Sequence, residues 1–169
     1  MTEIVVADTG PLIALARGGH LQLLQTLYEE IIIPPAVHAE LCLGSGRPGS
    51  KRLADAFGQE WLQVKRLSAS ATSTLDELTL ILDPGEAEAI VLAEEMDCRF
   101  LLIDERKGRA VARRRGVPIA GIAGVLLAAK KHGFIDEVLP LVKDLEQIGY
   151  RMSPALVSEI ARRAGESGA

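Results

Sequence analysis

Short unbroken apolar runs alternate along this chain with stretches whose apolar positions recur at helical spacing, the pattern of parallel β/α units. Ile4-Val5-Val6-Ala7 is apolar at every position and ends at Asp8-Thr9-Gly10-Pro11. It reads as a buried strand, a turn and a helix start. A helix over Leu21–Tyr28 follows, then a second strand, Ile31-Ile32-Ile33, closed by Pro34-Pro35, and a helix through Glu40 to about Cys42. The run Gly44-Ser45-Gly46-Arg47-Pro48-Gly49-Ser50 is a surface loop, and a helix over Lys51–Phe57 comes after it. Trp61-Leu62-Gln63-Val64 alternates as a third strand, at an edge of the sheet, and 65–82 receives no element.

The second half is more strongly patterned. Asp83-Pro84-Gly85-Glu86 opens a helix with Asp at the cap, Pro at the first position and Glu at the third, and that helix runs to about Met96. Phe100–Ile103 is a strand ending at Asp104, Arg106–Arg115 a basic helix, and Val117–Ala120 a last short strand. Helices over Gly121–Lys131, Ile135–Gln147 and Ser153–Arg163 complete the chain. No internal repeat is present.

Composition narrows the class. A chain of 169 residues with 48% apolar and 25% charged side chains is one globular domain, read as residues 1–164 with a frayed tail at 165–169. The two cysteines, Cys42 and Cys98, lack zinc-ligand spacing and suit a reducing compartment. The N-terminus lacks the basic flank and apolar core of an export signal, and no run approaches the about 18–20 apolar residues of a membrane span. A soluble cytoplasmic protein is expected. The 19 basic and 23 acidic side chains sum to −4, which argues against coating nucleic acid by bulk charge. Aromatic residues are 4%, too few for a base-stacking platform.

Candidate chemistry lies in carboxylates. In open α/β sheets, ligands bind outside the carboxyl ends of strands. Asp8 and Asp104 each directly follow an apolar strand, and Glu40 and Glu86 fall near the starts of the helices after Pro35 and Pro84. Read singly, each Asp is an ordinary helix cap. Gathered together, four such groups repel one another and raise one another's pKa values unless cations neutralise them, which is the logic of a Mg²⁺ or Mn²⁺ site.

Four ordered motifs carry a family resemblance: Val5 to Leu15, Pro34 to Leu41, Gly85 to Ile90 and Leu101 to Arg109. They resemble PIN-domain proteins, in particular a prokaryotic branch described as predicted nucleic-acid-binding proteins, and Gly149-Tyr150-Arg151-Met152-Ser153-Pro154 also looks like that branch. The resemblance implies an α/β fold of three layers, α/β/α, around a central parallel sheet. It also implies metal-dependent ribonuclease chemistry and, as in many relatives, the toxin half of a VapBC-like toxin–antitoxin pair. By position, Asp8, Glu40, Glu86 and Asp104 match the four family acids, expected to ligate Mg²⁺ or Mn²⁺ and to be catalytic. The chain departs from the family pattern at Gly10 and Leu102, where hydroxyl residues are common. Thr9, adjacent to Asp8, projects differently from a hydroxyl at position 10.

Glu88 rivals Glu86, but two helical positions turn it roughly 200° away, so one of the pair faces the cluster. Thr9, Glu88 and Glu105 are secondary candidates. Arg106, Arg109 and Arg113 recur at helical spacing directly after Asp104 and are expected to hold RNA phosphates; the alternative is a solvated helix face. His38 stands opposite Glu40 on its helix, and Trp61 reads as core. No Gly-x-Gly-x-x-Gly, Walker or Gly-x-Ser-x-Gly motif occurs. The expectation is a metal-dependent endoribonuclease acting on RNA, as a homodimer with a small antitoxin partner and no membrane association. The alternative is a catalytically silent PIN-fold binding module for nucleic acid or protein.

Overall fold

Five parallel strands form one sheet in a computed structural model that describes residues 3–166. The strands are β1 (Val5–Ala7), β2 (Ile31–Ile33), β3 (Leu62–Val64), β4 (Phe100–Leu102) and β5 (Ile119–Ala120), in the spatial order β3-β2-β1-β4-β5. The helices are α1 (Thr9–Gly18), α2 (Gln22–Tyr28), α3 (Pro35–Leu41), α4 (Ser50–Gly58), α5 (Thr72–Leu78) and α6 (Pro84–Met96). After them come α7 (Arg106–Arg114), α8 (Ile122–Lys131), α9 (Leu139–Gln147) and α10 (Pro154–Ala164), with a 3-10 turn at Ala69–Ala71. Layers of helices enclose the sheet, so β1 and β2 are buried at every position and their sequences are apolar throughout. The edge strand β3 does not keep the expected alternation: Leu62 is buried, and Gln63 and Val64 are both exposed.

Most helix starts follow their sequence signals. Asp83 Oδ1 accepts the Glu86 N–H at 2.8 Å above Pro84, and Ser153 Oγ accepts the Leu156 N–H at 3.1 Å above Pro154. Two elements differ from expectation. Helix α5 lies inside the unassigned 65–82 stretch; its Thr72-Ser73-Thr74 start is made of weak helix formers, and Leu78 is its one buried residue. Helix α9 begins at Leu139, not Ile135, because Pro140 belongs in a first turn and would break a helix running through it from 135.

The tail also differs. Gly165 closes α10 in the left-handed conformation, and Glu166 is tied down by four hydrogen-bonding or ionic contacts. Its carboxylate accepts the Val138 N–H at 2.8 Å, the Leu139 N–H at 3.0 Å and Lys130 Nζ at 2.9 Å, while its own N–H bonds to Ala161 O at 2.9 Å. The frayed end expected from 165 therefore does not begin there, and 167–169 lie outside the described residues. Glu166 is in effect the N-terminal cap of α9, delivered from the far end of the chain.

Burial opposes ionisation of Glu166, but the two backbone donors and Lys130 outweigh it and hold its carboxyl below the usual range. An acid with a depressed folded pKa contributes stability above the unfolded pKa and loses it as pH falls through the folded one. Glu166→Gln should therefore destabilise the protein by about 1–2 kcal/mol at pH 7, roughly 3–6 °C in melting temperature. The two proteins should converge only as pH falls below the ordinary glutamate range, where Glu166 itself takes up a proton. Thermal melts across that range test it.

Candidate active site

The strand order runs outward in opposite directions from the β1/β4 pair, and that switch point is where an open α/β sheet forms its crevice. Asp8 leaves the end of β1 with its N–H on Leu102 O at 2.9 Å, and Asp104 follows Ile103, whose N–H still joins the ladder at Ala120 O. Helix α6 packs on β1 and β4 and brings Glu86 to the same edge, while α3 lies along α6 and brings Glu40. All four acids of the sequence analysis therefore meet at one end of the sheet.

They are not equivalent. Asp8 and Glu86 are only 6% and 7% exposed, and Asp8 Oδ1, Glu86 Oε2 and Asp104 Oδ2 are buried without a hydrogen-bond partner. Burial pushes the Asp8 carboxyl up to about 6 against the pull of the Thr9 N–H, with Asp83, Glu40 and Asp104 adding repulsion. Burial pushes Glu86 up to about 8, helped by the adjoining carboxyls of Asp83 and Glu105. Asp104 is raised by burial too, and the Tyr150 hydroxyl, the Ile122 N–H at 3.2 Å from Oδ1 and the Arg109 charge restrain the rise. Glu40 differs: Oε2 accepts the Thr9 hydroxyl at 2.5 Å and Oε1 accepts the Gly85 N–H at 3.1 Å. It clamps the starts of α1 and α6 together.

Each approach depends on a missing side chain. A Cβ on Gly85 would lie 2.5 Å from both Glu40 carboxylate oxygens, one on Gly108 2.6 Å from Glu86 Oε2, and one on Gly121 2.8 Å from Asp104 Oδ1. These glycines sit at the openings of α6, α7 and α8, so acids rest against bare helix N-termini. There, backbone N–H groups and the helix dipole favour negative charge.

The remaining candidates separate clearly. Glu88 turns away from the cluster and caps α3 by accepting the Ala36 N–H at 3.0 Å, so Glu86 is the residue that faces it. Thr9, expected to project differently from a hydroxyl at position 10, reaches the cluster through Glu40. Gly10 has open space around it, and Leu102 is fully buried among apolar neighbours. Glu105 caps α7 on the Gly108 N–H at 2.9 Å and also adjoins Glu86. Arg106 and Arg113 are exposed on α7, whereas Arg109 is half-buried and donates to Ile103 O at 2.6 Å beside Asp104. His38 stacks edge-on to Phe57, and Trp61 is core.

Two members of the site were not singled out from sequence. Asp83 reads as a helix cap and nothing more until the fold places it against Glu86 and Asp8. Tyr150 stands between α9 and α10, far from Asp104 in sequence, and no local pattern announces their meeting.

Among the described residues no three acidic, histidine or cysteine side chains already close on one point as a finished metal cage. The donor set nevertheless fits a hard divalent cation: all-oxygen, anionic, with three buried oxygens lacking any partner. Mg²⁺ keeps several waters, so carboxylates that hold it through water need not converge fully.

The same acids set a pH dependence for metal-free protein. With folded pKa values near 6 and 8, Asp8 and Glu86 keep protons that the unfolded chain has released above about pH 4.5. The native state then binds more protons, and stability falls as pH rises through that window. In chelator, the melting temperature should rise from pH 8 to pH 5. Glu86→Gln should raise it at pH 8 by several degrees, on the order of 1–3 kcal/mol, and flatten the slope. A variant no more stable than wild type at pH 8 contradicts this.

A search of curated proteins found no significant match. Among solved structures, the chain is similar to a PilT N-terminus domain protein from the hyperthermophilic archaeon Sulfolobus solfataricus P2. The TM-score is 0.50 and the identity 14%, over 75% of this chain and 92% of that one; at such identity the likeness concerns the fold. The DUF3368 family, described as a PIN domain, matches residues 4–166. With nearly the whole described chain inside that match, and the acids gathered at the switch point of its sheet, this protein belongs to the PIN-domain family.

Proposed function

We propose that this protein is a metal-dependent endoribonuclease, the toxin of a VapBC-like pair, working as a homodimer and held in check by a small antitoxin protein. PIN domains are generally nucleases and typically use divalent metals. The observation that carries the reading is the set of three buried, unpartnered carboxylate oxygens on Asp8, Glu86 and Asp104 at the β1/β4 edge. A cluster kept only for helix capping would satisfy those oxygens with N–H groups, as Glu88 and Glu40 are satisfied. Asp8, Glu86 and Asp104 would hold one or two Mg²⁺ or Mn²⁺ ions, which supply a hydrolytic water at neutral pH and positive charge for the departing oxygen.

The protein's own groups do the rest. Glu40 fixes the spacing between Asp8 and Glu86 by joining the helices that carry them. Arg109 and Tyr150 flank Asp104, one anchoring the end of β4 through Ile103 O and the other facing the carboxylate. Arg106 and Arg113 project outward from α7, one strand end from the acids, and suit the RNA backbone. With a net charge of −4, the protein has to bind RNA through such a local patch.

Purified protein should cleave single-stranded RNA with Mg²⁺ or Mn²⁺. Asp104→Asn should lower that rate at least about 100-fold, roughly 2.7 kcal/mol in the barrier. Changing Arg106 and Arg113 together to Gln should reduce the salt slope of RNA binding by about one to two and weaken all sequences alike. Wild-type protein that binds RNA or a partner but cleaves nothing with either metal would be the silent binding module instead. For the toxin assignment, a small protein encoded beside this gene should abolish cleavage when co-purified; cleavage untouched by every neighbouring product would remove it.

A further inference from the structure

We propose that the hollow where β1, β2 and β3 enter the sheet docks a basic peptide segment of a partner protein, which sets a lysine or arginine among its glutamates and a main-chain carbonyl on Trp61. The hollow lies at the opposite end of the strands from the acid cluster: its residues precede strands, whereas Asp8 and Asp104 follow them. Glu3, the pair Glu29-Glu30 and Glu60 stand just ahead of β1, β2 and β3, and parallel pairing brings those three strand entries side by side. With Tyr28 and Trp61 they line a space of about 480 Å³, within the about 300–1,000 Å³ usual for ligand sites.

The four glutamates are exposed, and a solvated charged surface would account for them alone. It does not account for Trp61. That indole is 5% exposed, forms part of the wall, and has a buried Nε1 without a hydrogen-bond partner. Phenylalanine would pack there with no donor left unpaired. Nor does local geometry ask for the acids: Glu29 and Glu60 hold φ of 64° and 65°, a conformation that glycine or asparagine adopts with less strain.

Arg99 is the cation of this edge, 3.4 Å from Glu3 and 5.6 Å from the Tyr28 ring centre. Among the described residues, no lysine or arginine lies within ion-pair distance of Glu29, Glu30 or Glu60. The occupant therefore has to bring positive charge and an acceptor oxygen. A phosphodiester brings the wrong charge, and a protonated polyamine brings no acceptor. A lysine or arginine residue brings both, the charge on its side chain and the acceptor in its own peptide group. Gln59 and Glu60, next to Trp61 in the wall, are exposed side chains that can turn aside to open the indole edge.

Trp61 is the chain's one tryptophan, so its indole N–H resonance reports on the hollow directly. In the full chain at physiological ionic strength, an acetylated and amidated Lys-Arg-Lys-Arg peptide should shift that resonance and bind with a dissociation constant below about 1 mM. Glu29→Gln, Glu30→Gln and Glu60→Gln together should weaken binding in calorimetry at least about tenfold. Asp76→Asn, Glu137→Gln and Glu146→Gln together remove equal charge from exposed positions outside the hollow and should change it less than about threefold. Trp61→Phe should weaken the peptide at least about threefold and leave spermidine, a cation without an acceptor, unchanged. Should Trp61→Phe fail to fold, the wild-type resonance decides, moved further by the peptide than by spermidine. An unmoved resonance, equal binding of spermidine and peptide, or equal loss in the two triple variants would overturn the inference. A resonance moved by single-stranded RNA and not by the peptide would overturn it too, and assign this edge to nucleic acid. None of these outcomes bears on RNA cleavage at the acids, which lie at the other end of the strands.

Discussion

Carboxylates crowded at the edge of a buried parallel sheet repel one another and lose hydration, and the architecture around β1 and β4 answers that constraint. Each acid sits at or against a helix start: Asp8 at the opening of α1, Glu40 against α6, Glu86 against α7 and Asp104 against α8. Helix N-termini offer N–H groups and partial positive charge, worth typically 0.3–1 kcal/mol each toward an anion, far short of full neutralisation. The raised carboxyls of Asp8 and Glu86 record the remainder. A structure that carried this cluster only for stability would gain by losing it.

Offsetting that strain falls to the rest of the molecule. The sheet is apolar on both faces near its centre, with Val5, Val6, Ala7, Ile31 and Ile33 fully buried, and helices α3 and α6 pack along each other beside it. The valine and isoleucine side chains among them each contribute about 1.5–3 kcal/mol on burial. The last helices add a closure of their own, because Glu166 caps α9 and pairs with Lys130 of α8. Tyr150, in the link between α9 and α10, then presents its hydroxyl to Asp104. The C-terminal helices are in this way coupled to the site and not merely appended to it.

What the sequence displayed, and what it hid, follows from range. Strands β1, β2 and β4 were legible because parallel buried strands are apolar at every position, and α6 because Asp83-Pro84 marks its start locally. Asp8 and Asp104 were legible because each directly follows an apolar run, and Glu86 because it stands in the first turn that Asp83-Pro84 marks; Glu40, near the end of α3, was legible only through the family motif. Helix α5 was not, since its weak helix formers and single buried side chain carry no period. The α9 start is set locally by Pro140, while its cap, Glu166, comes from the other end of the chain and has no local signature. The nearness of Asp83 to Asp8, the approach of Tyr150 to Asp104 and the cradling by Gly85, Gly108 and Gly121 are likewise meetings of distant segments. Local pattern encodes elements; these contacts exist only after the elements pack.

Helix α7 shows how function can oppose local preference. Its first turn carries Arg106 and Lys107, although cations are disfavoured at a helix N-terminus, and the cap carboxylate of Glu105 offsets them only partly. The buried face, Gly108, Val111 and Ala112, needs no charge opposite it to pack. Arg115 at the far end is paired with Glu94, whereas among the described residues no acid lies within ion-pair distance of Arg106 or Arg113. Arg106, in the first turn against the helix dipole and close to the acids in a chain of net negative charge, is poorly explained by stability, whereas Arg113 lies in the last turn, where the dipole favours a cation. Arg106 suits the backbone contact proposed above for α7.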